Sequence, residues 1–269
     1  MPATLAQHRG TANVDAMRTA RSDGGIPASG YPLVTAEIVL VHSSDLHVDN
    51  DPTQGPYGAD GTTGLRVVLN AARDVNADYV LLVGDIFDSN RQPPAIVDRC
   101  VSMLYEAARP VIVLPGNHDP LTDDSVWRRG GLDAIPHVHI IGLTHASAVH
   151  FPDHDLEVWG HPHTDYSNMV PLRTPRPRTA RWHITLAHGH YEDDGVEPLR
   201  PSWLISNAEI EATRADYLAL GHWNRAAKVG QGEVPAYYSG SPDLAKTVNV
   251  VRLRGNGTVE VERRPVDWT

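Results

Sequence analysis

The chain has 269 residues, 41% of them hydrophobic, which is enough for one large domain whose core needs no covalent staples. Its single cysteine, Cys100, excludes an intramolecular disulfide and fits a reducing compartment. The formal net charge of −10 argues against a protein that coats duplex nucleic acid by neutralising its phosphates.

No run of about 18 apolar residues is present, so no membrane-spanning helix is expected. The N-terminus mixes Gln7, His8, Arg9, Asp15, Arg18 and Arg21 with small residues and lacks the apolar centre of a secretory signal. Residues 1–35 read as a loosely ordered extension, and residues 36–269 as a single domain. The expected location is the cytoplasm.

In chain order, Ile38 to Val41 is a nearly continuous apolar run, as in a strand buried on both faces, and it leads into Asp45-Leu46-His47. A Gly-rich polar loop runs from Asp49 to Gly64. Leu65, Val68, Leu69, Ala72 and Val75 then fall on one helical face. Tyr79 to Val83 is a second buried strand, ending at Gly84-Asp85. Pro93-Pro94 opens a helix that turns Ile96, Val97, Cys100, Met103 and Leu104 inward. Val111 to Leu114 is a third strand, ending at Gly116-Asn117-His118-Asp119. This alternation predicts a parallel sheet, with its polar clusters gathered beyond the carboxyl ends of the strands.

The second half is richer in strands, expected over Val138–Leu143, Leu156–Gly160, Trp182–Ala187, Asp216–Leu220, Ala236–Ser239 and Val248–Arg254, with a closing hairpin through Gly255-Asn256-Gly257. The stretch from Pro162 to Arg181, with four prolines and Arg173, Arg176, Arg178 and Arg181, reads as an exposed loop that is either solvated or in contact with phosphate.

Five clusters carry the chemistry: Asp45-Leu46-His47, Gly84-Asp85-Ile86-Phe87-Asp88, Gly116-Asn117-His118-Asp119, His188-Gly189 and Gly221-His222-Trp223-Asn224. They supply carboxylate, imidazole and amide oxygen without thiolate, a donor set for manganese first, with iron or zinc as alternatives. In Asp45-Leu46-His47 alternate side chains project to one side as the chain leaves its strand, while Leu46 points into the core. Gly84 lets the backbone turn sharply so that Asp85 can sit between two ions. Two divalent cations there would offset the acidic balance of the chain at the point where an anionic substrate lies.

Together the clusters resemble those of the calcineurin-like metallophosphoesterase superfamily over roughly residues 37–245. That resemblance implies a layered αββα sandwich with two mixed sheets and a metal site at the carboxyl ends of the strands. It implies that Asp45 and His47 hold a first metal, that Asp85 bridges to a second, and that Asn117, His188 and His222 hold the second. His118 would stay off the metals and either stabilise the pentavalent state or protonate the leaving oxygen, oriented by Asp119. The implied reaction is hydrolysis of a phosphate ester by a metal-bridging hydroxide.

The superfamily usually closes its last motif with Gly-His-x-His, and this chain has Asn224 at the second histidine. Its carbonyl oxygen is a weaker ligand than imidazole for a borderline ion, so a looser first site is expected. The segments Gly84 to Asn90 with Pro93-Pro94, Tyr217 to His222 and Tyr238 to Pro242 resemble the DNA-repair exonuclease branch. Those nucleases carry a further DNA-binding cap domain, and only 27 residues follow Pro242. The expected substrate is therefore a smaller phosphodiester, a nucleotide or a single-stranded nucleic-acid end. A phosphomonoesterase, and a phosphate-binding module with a weakened metal site, are the alternatives.

Asp88 serves either as a hydrogen-bonding support or as a substrate contact. Arg91 and His190 are further candidate substrate contacts. His161 and His163 read as surface or loop histidines with metal binding as the alternative, and Cys100 reads as core.

Overall fold

The structure is a computed structural model that describes residues 37–49, 61–167, 169–192 and 203–268. The expected extension over residues 1–35 and most of the polar loop after Asp49 lie outside the described residues. Two six-stranded mixed sheets form the body. Strands are β1 (Ile38–Ser43), β2 (Tyr79–Val83), β3 (Val111–Leu114), β4 (Val138–Ile140), β5 (Ala148–Phe151), β6 (Leu156–Gly160), β7 (Trp182–His188), β8 (His190–Tyr191), β9 (Leu204–Ile205), β10 (Tyr217–Gly221), β11 (Ala227–Val229), β12 (Ala236–Tyr238), β13 (Thr247–Leu253) and β14 (Val259–Pro265). The first sheet runs β14-β13-β1-β2-β3-β4 and the second β11-β12-β10-β7-β6-β5, with β8 and β9 as a separate parallel pair.

The strand–helix–strand alternation produces the expected parallel run. Strands β1 to β4 are mutually parallel, and of the two strands added by the closing hairpin β13 runs antiparallel to β1 and β14 antiparallel to β13. Alternate residues of each central strand face two different cores, which is why these strands read as unbroken apolar runs. Val39, Val41, Val80 and Leu82 pack outward against helix α1 (Thr63–Asp74) and helix α2 (Pro94–Glu106), where Leu65, Val68, Ile96, Val97 and Cys100 are buried. Leu40, Leu81, Val83 and Ile112 pack inward against Val158, Ile184, Leu186 and Ala219 of the second sheet.

The far face of the second sheet, with Ala187, Leu218, Leu220 and Tyr238, is covered more thinly. Helix α3 (Asn207–Ala212) contributes Ile210, and Leu172 comes from the stretch expected to be an exposed loop. A fourth, short helix α4 (Pro242–Ala245) precedes β13.

That loop is largely exposed, as expected, but two of its four arginines are paired with carboxylates. Arg176 Nε donates to the fully buried Glu157 at 2.7 Å, and Thr179 Oγ1 donates to the same carboxylate oxygen at 2.8 Å. Arg178 forks onto both oxygens of Asp216 at 2.6 and 3.1 Å. The stretch is pinned across the second sheet by charge-assisted bonds, the strongest kind available at a surface. No helix among the described residues is long and apolar enough to cross a membrane.

Candidate active site

The two sheets bring the carboxyl ends of β1, β2, β3, β7 and β10 to one edge. The turns after β1 and β2 are zipped together: Asp45 N–H donates to Gly84 O at 3.0 Å, His47 N–H to Asp85 O at 3.1 Å and Val48 N–H to Ile86 O at 2.8 Å. Asp45, His47, Asp85 and His222 all adopt positive φ, of 55°, 45°, 52° and 103°. Non-glycine residues rarely enter that region, and surrounding contacts must hold them there. Gly84, at φ 78°, is required for a second reason: a Cβ there would run into the His188 ring.

The chain gathers six of the expected ligands. Asp45, His47 and Asp85 present ligand atoms within 4.8 Å of one another, and so do Asp85, His188 and His222. Asp85 is common to both groups. Asn117 joins the second, its Oδ1 lying 3.1 Å from His188 Nε2.

Two of the three rings are oriented from behind. His188 Nδ1 lies 3.0 Å from the Val83 carbonyl, which can only accept, so Nδ1 carries the proton and Nε2 faces Asp85 Oδ2 at 3.2 Å. His47 Nδ1 lies 3.1 Å from Asp88 Oδ1, the carboxylate–imidazole arrangement that orients a metal-binding histidine. Asp45 accepts the His222 main-chain N–H on both oxygens, at 3.2 and 3.0 Å.

Charge at this edge is unbalanced. Burial pushes the Asp45 carboxyl up, opposed by His188 and reinforced by Asp85. Burial also pushes Asp85 up, but the adjacent His188 ring outweighs it and holds Asp85 well below the ordinary carboxylate range. Burial alone would lower His188; Asp85, then Asp45 and the Val83 carbonyl, raise it to about 9. Two buried carboxylates thus recruit a proton onto an imidazole as their counter-cation. A site built of hard oxygens and neutral-capable imidazoles that draws positive charge fits divalent ions.

His118 stands at the rim, more exposed than the ligands. Its main-chain N–H donates to Asp85 Oδ1 at 2.8 Å, and its Nδ1 lies 2.9 Å from the Asp88 carbonyl. The expected orienting partner, Asp119, is elsewhere. Its buried carboxylate accepts the amides of Gly116 at 2.7 Å, Ile86 at 2.9 Å and Phe87 at 3.1 Å, locking the turns after β2 and β3 together. Burial, helped by Asp85, lifts it to about 6. Asp119 supports the frame, and the main-chain carbonyl of Asp88, not the Asp119 carboxylate, lies against His118 Nδ1.

Asn224 is exposed, and its main-chain carbonyl accepts from Ser241 N–H. His190 lies beside His222, ring centroids 6.1 Å apart, and Trp223 Nε1 donates to its Nδ1 at 3.0 Å. An indole N–H only donates, so the neutral ring carries its proton on Nε2. Arg91 is exposed, three residues beyond Asp88.

His163 departs from its reading as a surface residue. It is fully buried, with Nε2 2.9 Å from the His188 carbonyl. Its one sequence signal was its position just past β6, at the edge where the other polar clusters lie. His161 is half-buried with its ring edge-on to Trp159, and neither histidine joins a candidate ligand group among the described residues.

This edge, set on a two-sheet α/β frame, carries candidate ligand groups for divalent metal ions. The chain matches the calcineurin-like phosphoesterase family over residues 38–226 and belongs to it, a family of metal-dependent phosphoester hydrolases. It is similar to a subunit of the nuclease SbcCD of Bacillus subtilis, 25% identical over 260 residues that cover 79% of this chain and 65% of that protein. It is also similar to the uncharacterized metallophosphoesterase YhaO of the same organism, 24% identical over 223 residues, covering 76% and 53%. The chain therefore spans less than two thirds of the length of these relatives. The crystal structure of TT1561 of Thermus thermophilus shares the fold, with a TM-score of 0.52 and 13% identity over 85% of this chain and 99% of that one.

Proposed function

We propose that the chain is a dinuclear metal-dependent phosphodiesterase acting on a nucleotide or a nucleic-acid end. The observation that carries this reading is Asp85, a single buried carboxylate common to two ligand groups. When bound, two divalent ions, manganese first, supply Lewis-acid charge to the phosphoryl oxygens and a water acidic enough to ionise near neutral pH. The chain's own residues do the positioning. Asp45 and His47 form one half of the cradle, and Asn117, His188 and His222 the other, with Asp85 between.

His118 is held by its Nδ1–H on the Asp88 carbonyl, which leaves Nε2 to face a leaving oxygen and, in the imidazolium form, to give it a proton. Its backbone amide is spent on Asp85, so the histidine and the shared carboxylate move together. His190, with its proton fixed on Nε2 by Trp223, adds a hydrogen-bond donor beside His222.

The test is purification, measurement of bound metal, and assay of a chromogenic phosphodiester and phosphomonoester with added manganese. Turnover of the diester that Asp85→Ala abolishes is the expected result. No turnover of either ester, with Asp85→Ala indistinguishable from wild type in metal content, would leave a phosphate-binding module instead.

A further inference from the structure

Beside the metal edge lies an open cavity of about 480 Å³ that the chemistry above does not use. Its walls carry Arg91, Arg128 and Arg129 together with Asn90, Asp123 and Asp124. We propose that this cavity takes a second phosphate of the substrate, from the nucleotide next to the scissile one in a single strand. The proposal rests on the phosphodiesterase reading and names its substrate class.

Four observations carry it. First, the cavity is joined to the catalytic turn. Asn90 and Arg91 follow Asp88 by two and three residues, and at about 3.8 Å per Cα step three residues span at most about 11 Å. That is the reach of a few phosphates along a strand. Second, the wall is built rather than fortuitous. Asn90 Oδ1 accepts Val126 N–H at 2.9 Å, while its Nδ2 donates to Pro120 O at 2.9 Å and to Thr122 Oγ1 at 3.2 Å, tying the turn after Asp88 to the segment after Asp119.

Third, among the described residues none of the three arginines is ion-paired with a carboxylate. Arg128 donates Nε to the Thr122 carbonyl at 3.3 Å, and Arg129 donates to the Asn90 carbonyl. Both partners are neutral. Arg176, Arg178, Arg252 and Arg254, by contrast, are each paired with a carboxylate. Three guanidinium groups face two carboxylates in the lining, so Asp123 and Asp124 reduce its positive charge without cancelling it. Guanidinium forks are the side chains best matched to phosphate. Fourth, Tyr166 stands beside this wall, exposed, its hydroxyl accepting Asn90 Nδ2–H at 3.0 Å. An anchored, exposed aromatic ring next to an arginine pocket suits a nucleobase next to its phosphate.

The experiment measures binding of a fluorescein-labelled single-stranded pentanucleotide to the full chain in EDTA across a series of salt concentrations. Arg128→Ala should weaken binding about ten-fold and lower the slope of log K against log salt by about one phosphate contact. Arg128→Lys should keep most of that slope, and Tyr166→Ala should weaken binding with the slope intact. Arg91→Ala, at an exposed position, repeats the test should Arg128→Ala fail to fold. No binding by the wild type, or equal affinity and slope in the alanine variants, overturns the pocket. A nucleoside triphosphate competing as well as the strand overturns the choice of a strand. Hydrolysis of bis(p-nitrophenyl) phosphate with manganese is scored separately. Its absence alongside arginine-dependent binding sinks the phosphodiesterase reading and leaves the pocket, whereas its presence without such binding does the reverse.

Discussion

The Asp88 main-chain carbonyl lies 2.9 Å from Nδ1 of His118, while the carboxylate of the same residue lies 3.8 Å from that atom and 3.1 Å from Nδ1 of His47. One residue therefore positions two histidines by different means. Removing the side chain disturbs His47 and spares the bond to His118. Asp88→Ala should lower metal affinity at the first site by roughly 10- to 100-fold while keeping the rate at saturating manganese within a few-fold. A manganese titration of activity checks this. A large loss of rate at saturating metal, with the manganese requirement unchanged, would mean that the carboxylate serves His118 after all.

His118 itself makes a different prediction. Its amide on Asp85 is a main-chain contact that survives substitution, so His118→Asn should bind metal as the wild type does. Loss of a proton donor costs about 10² to 10⁴ in rate when the leaving oxygen needs the proton. The loss should be largest for an alkyl leaving group and smallest for p-nitrophenolate, which departs without help. Equal losses for both esters would assign His118 to binding the phosphoryl group.

Asn224 is the proposed weak ligand of the first site. Histidine there would add an imidazole where the chain now offers at most an amide oxygen, so Asn224→His should reach half-maximal activity at lower manganese than the wild type. An equal requirement in both proteins would remove Asn224 from the metal's surroundings.

Stability should fall in acid because of a buried histidine that is not itself a candidate ligand. His42, on β1, is fully buried with Nδ1 2.9 Å from the Tyr217 hydroxyl. Burial, only partly opposed by the Leu220 carbonyl, lowers it from 6.5 to about 3. Its folded pKa is thus depressed, and the unfolded chain binds the proton first as pH falls. The stability from the neutral ring is complete above pH 6.5 and is lost as pH drops toward 3. By pH 5 the loss reaches about 2 kcal/mol for this one group. Urea midpoints at pH 7 and pH 5 should fall less in His42→Gln than in the wild type, though the variant starts lower. Parallel falls would mean that other groups carry the acid sensitivity.

The central strands and the ligand clusters were legible for one physical reason. A strand buried on both faces must be apolar along its length, and a strand end carrying ligands must turn polar at once, as at Val83-Gly84-Asp85. The half-buried strands β5 and β11 lack that contrast and were missed, as was the two-residue pair β8 and β9. The partner of His118 was misread because main-chain carbonyls have no sequence signature: Asp119 is adjacent in the chain, yet its carboxylate closes three amides. The burial of His163 under His188 depends on a packing that joins β6 to β7 and leaves no periodic trace.

The pairing of Arg176 and Arg178 was missed for a related reason, since Glu157 and Asp216 lie far along the chain from them, and it yields the last prediction. Glu157 is fully buried on the outer face of the second sheet, within 3.0 Å of His183 Nδ1 and 2.9 Å of His150 Nε2 as well as bonded to Arg176 and Thr179. Such a carboxylate is tolerable only because its oxygens are filled, and removing it strands the donors around it. Glu157→Ala should cost about 3–5 kcal/mol, and Glu157→Gln less, because the amide oxygen can still accept. Losing the anchor should also free the loop from the sheet before the sheet itself unfolds. Limited trypsin digestion should then cut Glu157→Gln after Arg178 under conditions that leave the wild type whole, while the metal edge, built on the opposite ends of other strands, keeps its manganese requirement. Identical digestion patterns and a stability change below about 1 kcal/mol would show that the loop is held by Leu172 and Asp216 alone.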